Sequence, residues 1–271
     1  MNGRGARKRE SASPVAQRSA LMHRFMVSAF RRFFMRHMNA MRVAIWGLPA
    51  PIQGGPVVIY SNHPAWWDAA AYILAADRFF PDHESYAPID AAMLERYGVF
   101  GRIGAFGVEL HTPRGAAAFL RTSAEILSAP NRALWITAQG RFGDVRERPL
   151  GLRPGVARLA ELSPACTVLP LAIEYSFWLE RGAEAFLAFG APMRGSDLLD
   201  LPRPERLQKL ERELAGTLDR LSLDVQSRDP HRFQVIVEGR TGVGGVYDGW
   251  RRLSAALRGR AFDPSHEGRA S

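Results

Sequence analysis

At 271 residues, with 46% hydrophobic and 23% charged side chains, the chain is sized for one large domain with a full core. Its one cysteine, Cys166, excludes an intramolecular disulfide framework and a cysteine-rich metal site, and its place before an apolar run reads as a buried, inert thiol. The net charge of +9 sits at the start: residues 1–42 hold ten basic side chains and one acid, and the rest is balanced at 26 of each. A nucleic-acid-binding domain carries a basic face on its folded body, so nucleic acid is not an expected partner.

In chain order, residues 1–18 are rich in Gly, Arg, Ser and Ala, lack apolar periodicity and read as a disordered basic tail. Residues 19–46 follow a helical period. Arg24, Ser28, Arg31, Arg32, Arg36, Asn39 and Arg42 share one side; Met22, Met26, Ala29, Phe30, Phe33, Phe34, Ala40, Met41 and Ala44 share the other. Arginines recur too often for a transmembrane span, and no apolar run with a small-residue cleavage site marks a signal peptide. Two readings stand: a helix that packs its Phe/Met face on the domain, or an interfacial helix with that face in acyl chains and its arginines on anionic headgroups.

The Gly/Pro-rich connector 47–56 opens a domain over 47–240. Strand patterns recur at 57–61, 107–111, 133–138, 168–175, 186–189 and 234–238, with helical patterns at 69–79, 89–97, 114–129, 154–162 and 204–228. This alternation predicts an α/β fold with a mostly parallel central sheet flanked by helices, preceded by the N-terminal basic amphipathic helix. In the last long helix Leu207, Leu210, Leu214, Leu218, Leu221 and Val225 form one stripe, read as core-facing rather than as a coiled-coil seam. Residues 241–271 make a basic C-terminal tail. It holds a glycine-rich turn at 242–247 and a helical pattern at 248–258, with Trp250, Leu253, Leu257 and Phe262 set among arginines.

The chemistry concentrates at Asn62-His63-Pro64, where an apolar strand pattern stops, with Asp68 five residues after the histidine. Pro64 turns the chain into a new element with its φ fixed, and about one and a half helical turns bring Asp68 back towards the imidazole. A carboxylate on one ring nitrogen fixes the tautomer and makes the other a better base. The alternative is a buried histidine beside a helix-capping aspartate. The remaining histidines have no metal-ligand spacing, so no metal is expected.

Four segments in order resemble the glycerolipid (lysophospholipid) acyltransferase family over roughly residues 40–195. The first is the N-H-x4-D block at Asn62, His63 and Asp68. The second is the Gly/Phe-rich run ending in Phe106 and Gly107, followed by Arg114. The third is a strand running into Gln139, Gly140 and Arg141, where the family has Glu-Gly-x-Arg. The fourth is the apolar run Val168-Leu169-Pro170-Leu171.

The resemblance implies an O-acyltransferase that moves a fatty acyl group from acyl-CoA or acyl-carrier protein to a hydroxyl of a lysophospholipid or another lipid alcohol. It implies no other cofactor and a peripheral place on the cytoplasmic face of an anionic membrane. His63 would be the general base and Asp68 its orienting partner. Backbone N–H groups near Gly140 would hold the oxyanion, and Arg114 and Arg141 would serve an acceptor phosphate, unless they are solvated surface charges. Trp66 and Trp67 would line a substrate channel or simply fill the core. Gln139 can hydrogen-bond but supplies no charge, and a purely structural place for it predicts that Gln139→Glu is tolerated. Two rivals remain: a His-Asp hydrolase using water, and an inactive lipid-binding homologue.

Overall fold

The computed structural model describes residues 13–52 and 54–239. The predicted C-terminal tail, 241–271, lies outside the described residues, as does the predicted disordered segment up to residue 12. Residues 13–18 of that segment are ordered locally. Pro14–Gln17 is a short helix (α1), with Ser13 Oγ accepting from the Val15 and Ala16 N–H groups.

The described chain is α/β, with a nine-stranded, mostly parallel sheet covered by helices on both faces. After α2 (Ala20–His37) come β1 (Ala40–Ala44), β2 (Val57–Ser61), α3 (Asp68–Phe79), β3 (Glu84–Asp90), α4 (Ala91–Arg96), β4 (Ala105–Val108), α5 (Pro113–Ile126) and β5 (Arg132–Thr137). A 3-10 turn (Pro154–Arg158), α6 (Leu159–Leu162), β6 (Thr167–Ser176), β7 (Glu184–Phe189), β8 (Met193–Arg194), α7 (Gly195–Leu199), α8 (Arg203–Ser227) and β9 (Phe233–Glu238) complete it. The strand order is β4-β3-β5-β2-β6-β7-β1-β9, with β8 paired to β6. β2 runs parallel to both neighbours and is buried along its whole length, which is why it reads as an unbroken apolar run.

The expected helix over 19–46 is corrected here. It ends at His37, and Ala40–Ala44 is a fully buried strand between β7 and β9. Helical counting assigned Arg42 to a solvated side. Its guanidinium is instead buried against Glu184, 2.5 Å away on β7, and lies over the Trp178 ring. A charge whose partner is 142 residues away in sequence gives no local sign of being buried. Two further strands escape sequence reading: β3, which contains Pro88 and follows a polar stretch, and the two-residue β8. The predicted strand over 107–111 is shifted; β4 ends at Val108, and His111 stands in a turn with φ 62°.

One core cluster lies under α5, α6 and α8, where Leu210, Leu214, Leu218, Leu221 and Val225 are buried as the leucine stripe predicts. The other lies under α2 and α3, where Phe34 of α2 is completely enclosed. Burying a side chain of that size stabilises by roughly 1.5–3 kcal/mol, so this helix is anchored to the domain.

Candidate active site

His63 stands just beyond the carboxyl end of β2, the crevice where open α/β sheets present their chemistry. Two buried side-chain amides fix its backbone. Asn62 donates from Nδ2 to the Ile173 carbonyl at 2.8 Å and accepts from the Ile173 N–H at 2.9 Å. It therefore extends the β2–β6 ladder one rung past Ser61, which pairs with Leu171. Gln139, just past β5, accepts the His63 N–H at 2.8 Å and donates from Nε2 to the Leu150 carbonyl at 2.9 Å. The turn at 140–143 closes the loop from the other side, as the Gly143 N–H donates to the His63 carbonyl at 3.0 Å.

The imidazole is held in turn. Asp68, the first residue of α3, places Oδ2 2.5 Å from His63 Nδ1. The Phe142 ring stacks on the imidazole with centroids 4.2 Å apart. A carboxylate at Nδ1 keeps the ring proton there and leaves the lone pair on Nε2, the arrangement of a general base.

Asp68 is itself buried, at 1% exposure, and burial raises its carboxyl above the ordinary value. The hydrogen bonds from His63 and from Tyr175 pull it back down. Tyr175, on β6, donates its hydroxyl to Asp68 Oδ1 at 2.9 Å, so each carboxylate oxygen has a donor. Burial pushes the Tyr175 phenol well above its usual value, with Asp68 adding to the shift, so it remains a donor at physiological pH. Behind it the Tyr72 and Ser61 hydroxyls meet at 2.5 Å, and Ser61 donates to the Asn62 carbonyl. Tyr175 was missed in the sequence. The available signal was alternation along β6, which sets Leu169, Leu171, Ile173 and Tyr175 on one face, where a buried phenol needs a partner.

The other predicted residues separate into groups. Asn62 and Gln139 are 2% and 1% exposed with both amide ends engaged inside the protein, so they position His63 and do not face a substrate. The Gly140 N–H donates to the Thr137 carbonyl at 3.0 Å, so it is not turned to an oxyanion; Gly140 itself has φ 62°. Arg141 is exposed, and Glu147 occupies its guanidinium fork, with one of the two contacts at 3.0 Å. Arg114 is exposed on the first turn of α5. The start of α5 reaches the third block through His111, whose Nδ1 is 3.0 Å from Arg153 Nη2, while the Arg153 stem crosses Gly140.

Phe106 is buried and packs on Phe119 in the core, and Gly107 leaves room for α4, where a Cβ would stand 3.2 Å from Ala91 Cα. Both were expected to bind substrate; the Phe106 ring is instead enclosed in the core. Trp66 is 58% exposed and Trp67 half-buried; both join Phe33 and His37 of α2 in an aromatic cluster beside the histidine loop. Among the described residues no group of three or more His, Cys, Asp or Glu could hold a metal ion. Burial pushes the Cys166 thiol up to about 11, a poor nucleophile. Compared with protein-family models and with curated proteins, the chain matches none.

Proposed function

We propose that the protein is an O-acyltransferase that moves a fatty acyl group from an acyl thioester to a hydroxyl of a lipid alcohol. The observation that carries this reading is the His63–Asp68 contact of 2.5 Å at the carboxyl edge of the sheet, with the carboxylate held from behind by Tyr175. His63 Nε2 takes the proton of the acceptor hydroxyl as its oxygen attacks the thioester carbonyl. The new C–O bond forms, the C–S bond breaks, and the proton passes from the imidazolium to the departing thiolate. Asp68 stabilises the imidazolium while it exists. With the Gly140 and Gly143 N–H groups engaged elsewhere, stabilisation of the oxyanion falls to the N–H groups of Arg141 and Phe142 in the same turn. The donor is a fatty acyl thioester of coenzyme A or of acyl-carrier protein.

The enzyme works at an anionic membrane surface, which it meets through α2. Part of the apolar arc read from the sequence is turned to the protein, with Phe34 buried; Val27, which that arc did not include, is buried too. A second set faces out: Leu21 at 79% and Phe25 at 65% exposure, with Met35 and the exposed Arg24, Arg32 and Arg36 on the same arc. Apolar side chains set among arginines suit a lipid interface. Among the described residues no helix is long and apolar enough to cross a membrane.

The test is acyl transfer from a fatty acyl thioester to an added lipid alcohol, followed by mass spectrometry of the lipid product. Formation of the ester supports the reading. Release of free fatty acid alone, with the lipid alcohol saturating, assigns a hydrolase instead.

A further inference from the structure

Next to the His63–Asp68 pair the structure opens a cleft of about 440 Å³ that no part of the reaction above uses. Pro64 and Ala65, which follow His63 directly, form one wall; Tyr175, the residue that holds Asp68, forms another. The 143–146 loop closes one side, and α8 closes the other with Ser222 and Gln226. Glu174 stands among them, half-buried, accepting the Ser222 hydroxyl at 2.6 Å, with its carboxyl raised by burial. A second cavity, beneath His23 and Tyr86, holds about 70 Å³, too little room for a headgroup.

The charges of the cleft decide what it accepts. Arg146, its basic residue, is committed to Asp144 through two contacts of 2.8 Å, which satisfies the fork a phosphate would need. With Asp144 paired to Arg146, Glu174 is the remaining carboxyl of the cleft. A phosphate meets no cation in the cleft that is not already paired, whereas a carboxyl, a hydroxyl and a side-chain amide are the groups that bind sugar or polyol hydroxyls. Arg141, the other phosphate candidate next to His63, is committed to Glu147. We infer that this cleft is the subsite for the uncharged, polyhydroxylated headgroup of the acceptor, with Glu174, Ser222 and Gln226 as its hydrogen-bonding groups. The inference rests on the acyl-transfer reading and narrows its acceptor to a glycoside-like or polyol-like lipid alcohol.

The experiment is equilibrium binding by calorimetry on the full-length protein, with octyl β-glucoside below its micelle-forming concentration and lysophosphatidate as the two probes. Wild type, Glu174→Leu and Ser222→Phe are compared; the last fills the cleft from the helix side without entering the sheet. The expected result is saturable glucoside binding weakened about tenfold or more in both variants, the scale of losing a hydrogen bond to a carboxylate. Lysophosphatidate should show no binding that Ser222→Phe removes. Absence of saturable glucoside binding to wild type, glucoside binding insensitive to Ser222→Phe, or lysophosphatidate binding that Ser222→Phe abolishes would each overturn the inference. Should Glu174→Leu fail to fold, Ser222→Phe decides alone. Binding is measured with no acyl donor present, so its outcome does not depend on turnover. Loss of the cleft inference and loss of the acyl-transfer reading are thereby separated.

Discussion

Tyr175 and Asp68 meet at 2.9 Å, a hydroxyl from β6 donating to a carboxylate at the start of α3, 107 residues away in sequence. The contact gives the second oxygen of a buried carboxylate a donor, the first being held by His63. Burial raises the Asp68 carboxyl and this hydrogen bond opposes the rise. Tyr175→Phe keeps the ring and removes the donor, so the proton affinity of Asp68 increases. Asp68 then takes up a proton at a higher pH than in the wild type. The acid limb of the kcat/KM profile should move to higher pH, with a rate loss of about tenfold at neutral pH, the scale of one hydrogen bond to a charged group. A profile measured on both proteins checks this; a loss with no movement of the acid limb would reduce Tyr175 to a packing residue.

Gln139 offers a sharper contrast with expectation. The sequence predicts that Gln139→Glu is tolerated if the residue holds a purely structural place. The buried amide, however, accepts from the His63 N–H and donates to the Leu150 carbonyl. A carboxylate keeps the first contact and turns the second into repulsion between two acceptors. Leaving a buried group unsatisfied costs about 1–3 kcal/mol, and more when it is charged. Gln139→Glu should lower the denaturation midpoint and impair turnover at neutral pH. Lowering the pH should recover part of both losses, because a protonated Glu can donate to Leu150 again. Unchanged stability in a urea titration would show that the Leu150 carbonyl has another partner available.

The α2 surface gives a third test. Leu21, Phe25 and Met35 are each worth roughly 1.5–3 kcal/mol if fully buried, and each arginine about 1 kcal/mol beside an anionic surface. Discounted for partial insertion, this sum supports reversible membrane association. Triple substitution Leu21→Ser, Phe25→Ser, Met35→Ser should release the protein from anionic vesicles while the domain stays folded, since these side chains face outward. Added salt should weaken wild-type binding, because such attraction is screened within about 8–10 Å. Phe34, completely buried, is the wrong residue to alter for this purpose. Cosedimentation with vesicles decides; a triple variant that pellets like wild type would leave α2 a packing element only.

How much of this was readable in the sequence depended on whether the cause was local. β2, the stop after Ser61 and the return of Asp68 to His63 follow from an apolar run, a proline and a five-residue spacing, all within a dozen residues. β1 was hidden because Ala40, Met41 and Ala44 fit a helical arc as well as a strand, and only Glu184 across the sheet decides for the strand. β3 was hidden by Pro88. At the site, residue identities were visible but their directions were not. Asn62 and Gln139 face inward because their partners, Ile173 and Leu150, are brought there by β6 and by the loop after the third block. Tyr175 and Glu174 are neighbours on one strand, so alternation sends them to opposite faces, but that the one meets Asp68 and the other Ser222 depends on where α3 and α8 pack.

The central claim is that His63, oriented by Asp68, acts as the general base for acyl transfer, and the rate of ester formation by His63→Ala tests it most directly. With a fatty acyl thioester and a saturating lipid alcohol, His63→Ala should lose about 10²–10⁴-fold in turnover, and Asp68→Asn should fall severely as well, with circular dichroism and denaturation midpoints close to wild type. A folded His63→Ala enzyme that turns over within a few-fold of wild type would contradict the assignment.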